Sequence, residues 1–160
     1  MDKNFMTRAS YDRMLREIDN LRERELPQIS KEKLEAASQG DLSENAGYEY
    51  AKQKLEMIQN KITAMEAQVA NVQFIEELPI AGTIVSIGTV VRFLDLEKKK
   101  EEEYAILGPA DADVARGVIS FQSPIARAMI TKKTGDEVTI NIPEGTRRVK
   151  ILAIRKFAGD

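Results

Sequence analysis

Apolar residues recur at helical spacing through the first half of the chain and at strand spacing through the second. Tyr11, Met14, Leu15, Ile18 and Leu21 form one stripe at three- and four-residue steps, and Thr7 stands where the N-cap of such a helix belongs. Leu26, Ile29, Leu34 and Ala37 continue the stripe out of phase. Pro27 sits at the slip, where a missing N–H and a ring clash predict a kink or local unwinding. One bent helix over residues 8–38 is expected. A second stripe of Tyr48, Ala51, Leu55, Ile58, Ile62, Met65, Val69 and Val72 alternates strictly by three and four, which is an a/d seam. The short connection around Gly40–Leu42 makes the two helices antiparallel neighbours. At 1.5 Å per residue, thirty-odd residues make a rod of roughly 45 Å.

The period changes to two near Glu76-Glu77-Leu78-Pro79, and the domain boundary is set there. Strands are expected at 83–87, 89–94, 103–107, 118–121, 137–142 and 147–154, with a charged turn over 95–102 and a loop over 108–117. Ser123-Pro124 opens a short helix to Ile130, serine as N-cap and proline in the first turn. The expected organisation is α+β: an antiparallel coiled-coil hairpin over 1–78 with its tip at 40–48, then a small α+β domain over 79–160.

Composition narrows the chemistry. The 160 residues include no Cys and no His, which removes thiolate catalysis, zinc-thiolate sites and the commonest general base. No apolar run approaches a bilayer span, and the opening residues lead into no signal-peptide core, so a cytoplasmic protein with no membrane association is expected. From Arg116 onward basic residues outnumber acidic ones, a patch suited to an acidic protein surface, to nucleic acid or simply to solvent.

The hairpin tip is the opposite. No Lys or Arg occurs between Leu34 and Ala51, whereas Glu35, Asp41, Glu44 and Glu49 do. Asp41 or Ser43 would cap the second helix, and Asp41-Leu42-Ser43-Glu44 has capping-box spacing. The same two carboxylates could instead hold a hard cation, since Mg²⁺ is often bound by one or two protein carboxylates with phosphate and water completing the shell. Both readings stand at this point. Tyr48 belongs to the seam or stacks on a base. Lys52 and Lys54 restore positive charge behind the tip, where they contact phosphate, line a protein wall or face solvent.

The tip Gly40-Asp41-Leu42-Ser43-Glu44-Asn45-Ala46 with Tyr48, and the second motif Ile119-Ser120, Ser123-Pro124-Ile125-Ala126-Arg127-Ala128, Lys132 and Gly135-Asp136, resemble the Gre transcript cleavage factors of bacterial RNA polymerase. The resemblance covers nearly the whole chain. It implies an FKBP-like second domain and a bacterial RNA polymerase partner, whose secondary channel the hairpin enters. It implies that Asp41 and Glu44 act at the polymerase's active centre, sharing Mg²⁺ with it, while the chain has no cofactor of its own and is not an enzyme. Gly40, Leu42, Ser43, Asn45 and Tyr48 would support the tip, and Lys52 and Lys54 would meet the nascent RNA 3′ end or the channel. Ser123, Pro124, Ile125 and Arg127 would dock on polymerase, with the protein acting as a monomer. Ser10, Ala37, Gly47 and Thr131 depart from the family pattern; at 131 the family carries glycine. A same-fold regulator that plugs the channel and inhibits is the alternative, and a prolyl isomerase is a third reading, disfavoured by the few aromatics in the second half.

Overall fold

A computed structural model describes residues 2–39 and 45–159. The chain divides into two compact units, one of Tyr11–Asn71 and one combining Met1–Ser10 with Val72–Asp160.

The helical unit is an antiparallel hairpin. Its first arm is α1 (Arg8–Asn20), a π-helical turn (Leu21–Glu25) and α2 (Leu26–Ala37); its second is α3 (Ala46–Val69). The π turn explains the slip in the apolar stripe. In an uninterrupted α-helix Leu26 would lie about 140° around the axis from Leu21, off the buried face. Instead the Leu26 N–H donates to the Leu21 carbonyl five residues back, and the wider turn returns Leu26 to the core beside buried Leu21 and Ile29. Pro27 falls in the first turn of α2, where its missing N–H costs least. From α3, Ala51, Ile58 and Ile62 are buried in the same cluster, with Leu55, Met65 and Val69 packed against it.

Two helical expectations need correction. Leu34 is 74% exposed, because it lies five residues past Ile29 with no second π turn to bring it round. Val72 lies beyond the end of α3, in the short strand β2 (Val72–Phe74), which pairs in parallel with β1 (Asn4–Met6).

That pairing also moves the domain boundary. The sequence placed residues 1–78 with the hairpin, whereas residues 72–78 and the first ten residues pack with the sheet. This sheet has the order β5-β4-β3-β7-β6, with β3 at Thr89–Asp95, β4 at Lys100–Leu107, β5 at Val118–Ser120, β6 at Glu137–Ile142 and β7 at Gly145–Lys156. Only the β4–β5 pairing is parallel. Strand alternation sends Val91 and Phe93 to one face, where Ile106, Ile140, Val149 and Ile151 join them under Ala126 and Met129 of α4 (Pro124–Met129). Val90, Ala105 and Leu107 form a separate core cluster with buried Ile75, against which Phe5 and Leu78 pack. Without the 72–78 segment and β1 this second cluster would lose much of its cover.

The strand expected over 83–87 is reduced to a bridge between Ile84 and Lys133. Val85 there exchanges backbone bonds with Thr131 and Lys132 after α4, so the segment meets a helix exit and not a long strand. The charged turn expected over 95–102 is shorter, with β4 beginning at Lys100. Asp95 closes it by accepting from the Glu97 and Lys98 N–H groups, each at 3.0 Å, while Arg147 bridges Asp95 and Glu102. The Lys98 N–H foremost, then those of Glu97 and Arg147, hold the Asp95 carboxyl below its usual range against the opposing effect of burial.

Two backbone positions test this packing with opposite signs. A Cβ on Gly108 would lie 1.9 Å from the Phe5 carbonyl oxygen, so only glycine admits β1 at this distance. Thr131 follows α4 with φ of 78°, a left-handed conformation that strains a β-branched residue. In urea denaturation, Gly108→Ala is expected to cost about 3 kcal/mol. Thr131→Gly is expected to add about 1 kcal/mol by the same measurement. A neutral Gly108→Ala would contradict the close approach of β1, and a destabilising Thr131→Gly would contradict the strain.

Candidate functional site

The residues singled out from the sequence fall on two separate structures, a hairpin end and a short helix. Gly40, Asp41, Leu42, Ser43 and Glu44 lie outside the described residues. The residues flanking them are informative. Asn45 is the N-cap of α3, in extended conformation, and its Oδ1 accepts from the Tyr48 N–H at 3.0 Å. The helix therefore starts at Ala46, later than a cap at Asp41 or Ser43 requires, and the capping role weighed for those residues belongs to Asn45.

Asn45 has a second bond. Its Nδ2 donates to the Ala36 carbonyl at 2.6 Å, in the last turn of α2. One amide thus satisfies an orphan donor at the start of one helix and a carbonyl at the end of the other. A carboxylate could not do both, since the side chain must accept and donate at once, and the amide does so with its oxygen and its nitrogen separately. Asn45 fastens the two helix ends to each other on either side of the acidic segment.

Tyr48 is half-buried, with Lys33 Nζ 5.8 Å from its ring centroid. Tyr50 faces outward and is 61% exposed. Lys52 is exposed, and Lys54 is half-buried with its Nζ 5.9 Å from the Tyr50 ring centroid. Lys52 and Lys54 therefore differ in environment although the sequence treated them alike.

In the sheet unit, Ser123 caps α4 by accepting from the Ala126 N–H at 3.3 Å, and its own hydroxyl donates to the Ser120 carbonyl at 2.7 Å. The six-residue helix buries Ala126 and Met129 completely and presents Pro124 and Arg127 to solvent, with Ile125 partly covered by the core. Proline, isoleucine and arginine on one short rigid element form an outward patch of apolar surface beside a cation. This composition is typical of protein interfaces, where arginine is enriched.

The sequence reading missed the connection of the amino terminus to this unit. Asp111, buried in a turn that had been read only as loop, accepts from the Thr7 N–H at 3.1 Å, the Thr7 hydroxyl at 2.7 Å and the Gly108 N–H at 2.9 Å. The spacing Gly108-Pro109-Ala110-Asp111 was the available signal, since proline at the first helical position and an acid at the third that reaches back to the cap N–H mark the start of a helical turn.

Comparison with known proteins matches both halves of the chain. The family model for the transcription elongation factor N-terminal region matches residues 4–74, and that for the GreA/GreB C-terminal region matches residues 81–156. The transcription elongation factor GreA of Nitratidesulfovibrio vulgaris is 40% identical over 145 residues, covering 91% of this chain and 88% of that protein. GreA of Helicobacter pylori is 40% identical over 154 residues, covering 96% and 94%. Among solved structures, the GreA factor homolog Gfh1 of Thermus thermophilus aligns over 96% of this chain and 99% of its own, with 26% identity and a TM-score of 0.44.

The double role of Asn45 yields a graded expectation. Asn45→Ala removes both bonds and should lower stability by about 1–2 kcal/mol. Asn45→Asp keeps the acceptor for Tyr48 but replaces the donor to Ala36 with a carboxylate, so it should fall between wild type and alanine. Urea titration followed by helical circular dichroism distinguishes the three. Equal stability of the aspartate and wild-type proteins would show that the Ala36 bond contributes nothing.

Proposed function

The chain belongs to the GreA/GreB transcription elongation factor family, and on that premise we propose that it enters the secondary channel of bacterial RNA polymerase and stimulates cleavage of the RNA 3′ end in backtracked complexes. The observation that carries this reading is that both halves of the chain match the family, the N-terminal match over residues 4–74 taking in the segment that holds Asp41 and Glu44. Carboxylates suit Mg²⁺, a hard cation that keeps several water ligands and accepts one or two protein oxygens. In two-metal phosphoester hydrolysis the cation activates the attacking water and offsets charge on the reacting phosphate.

Within this mechanism Asp41 and Glu44 would hold the cation together with the polymerase's own carboxylates and the RNA phosphate, and the cation would supply activation of the attacking water. Asn45 ties α2 to α3 at the end of the hairpin. Lys52 and Lys54 lie one to two turns into α3 and offset the negative charge of RNA or of the channel wall. The sheet unit, whose finer fold we take to be FKBP-like, holds the factor on polymerase through Ser123, Pro124, Ile125 and Arg127. The factor acts as a monomer in the cytoplasm, and hydrolysis remains the polymerase's reaction. Among the described residues no helix is long and apolar enough to cross a membrane.

Cleavage of 3′-extruded RNA in purified backtracked complexes tests the reading. Wild-type protein should accelerate release of the 3′ fragment. Asp41→Ala and Glu44→Ala should each lower stimulated cleavage on the order of 100-fold, the upper scale for losing a positioned group at a metal site. Both variants should still compete with labelled wild type for polymerase. Retained cleavage in both would reject the chemical role of the acids, and inhibition of elongation by the wild type without cleavage would favour a channel-plugging regulator.

A further inference from the structure

We propose that the amino-terminal strand is a working part of the polymerase-docking element, with Phe5 as the residue that positions the segment leading into the docking helix; the inference rests on the docking role assigned above to Ser123, Pro124, Ile125 and Arg127. The segment in question leaves β5 at Ser120 and reaches the cap of α4 at Ser123. Its backbone is anchored on one side where the Phe121 N–H donates to the Leu107 carbonyl at 2.8 Å. Phe121 packs against the core under α4 on one side, and on the other its ring meets that of Phe5 edge to face, with centroids 5.9 Å apart and planes at 84°. Edge-to-face pairs resist sliding and tilting more than plain apolar contact, because the positive ring edge is drawn to the negative face.

Phe5 is itself held in place. Its carbonyl lies so close to Gly108 that no Cβ fits between them, and two residues on, Thr7 is bonded to Asp111 by both its N–H and its hydroxyl. On its other side β1 pairs with β2 in register, Phe5 opposite Gln73. Phe121, by contrast, is partly exposed and followed by exposed Gln122. Rigidity thus passes from the strand to the ring pair and from there to the start of α4, two residues beyond Phe121. An interface element ordered before contact loses less conformational entropy on binding, so affinity should depend on a residue that never touches the partner.

The experiment measures competition by full-length variants against labelled wild-type protein for RNA polymerase, at a temperature where each variant is folded. Phe5→Ala should weaken binding about tenfold, the loss of one aromatic pair. Phe5→Tyr, which keeps the ring, should restore it. Leu78→Ala serves as the structural control, since Leu78 packs on the same cluster as Phe5; it should lower the unfolding midpoint with little change in binding. Amide chemical shifts of Gln122, Ser123, Ile125, Ala126 and Arg127 should move in Phe5→Ala and stay in place in Leu78→Ala. Equal binding losses in Phe5→Ala and Leu78→Ala, or unmoved amides in Phe5→Ala, would overturn the inference while leaving the docking role intact. Arg127→Glu addresses that role separately: unchanged binding in this variant would overturn the docking reading, and the inference with it.

Discussion

The carboxylate of Asp111 is buried, and a buried carboxylate is tolerated only when donors replace the water it has lost. Gly108 supplies one N–H and Thr7 supplies an N–H and a hydroxyl. The same Thr7 oxygen accepts from the Ser10 N–H and so caps α1. Strand β1, the first turn of α1 and the turn after β4 therefore share one hydrogen-bond network, and none of its members can be moved without stranding a charge. Charge-assisted bonds of this kind are short and strong, and among the described residues no buried side-chain polar atom lacks a partner. The consequence is a chain whose first ten residues belong to the unit completed by its last ninety.

The hairpin is organised by a different constraint, the mismatch between a five-residue apolar step and a helix of 3.6 residues per turn. The π turn absorbs that mismatch at Leu21–Glu25, so a single buried stripe runs through both parts of the first arm. Where no such turn follows, at Leu34, the apolar side chain is left in solvent. The hairpin end is then closed by the two bonds of Asn45, one to each arm. Both devices keep a long, thin structure in register with little core to do it.

Local signals were legible in the sequence and distant ones were not. The seam of α3, the proline-linked slip, the Ser123 cap and β6 follow from spacing and from residues that act on their immediate neighbours. The cap at Asn45 was obscured because Asp41 and Ser43 are equally good caps by residue type, and the bond from the Tyr48 N–H that identifies it appears only in the coordinates. Parallel pairing of β1 with β2 joins residues 68 positions apart and leaves no periodic trace in segments of three residues. Asp111 looked like one more loop aspartate because its partner Thr7 is 104 residues away. The proposed tip acids and docking residues could be named from their sequence motifs, whereas the contacts Asn45 to Ala36 and Phe5 to Phe121 required coordinates.

The central claim is that Asp41 and Glu44 act on a shared cation and not as a plug. A Mg²⁺ titration of stimulated RNA cleavage at constant ionic strength, comparing wild type with Asp41→Asn, tests it most directly. Loss of one ligand weakens cation binding more than protein docking, so the variant's cleavage should recover in part as Mg²⁺ rises, and its half-saturation should shift to higher concentration. Constant ionic strength removes general screening as an explanation. Curves that differ by a single scale factor at every Mg²⁺ concentration would contradict the claim.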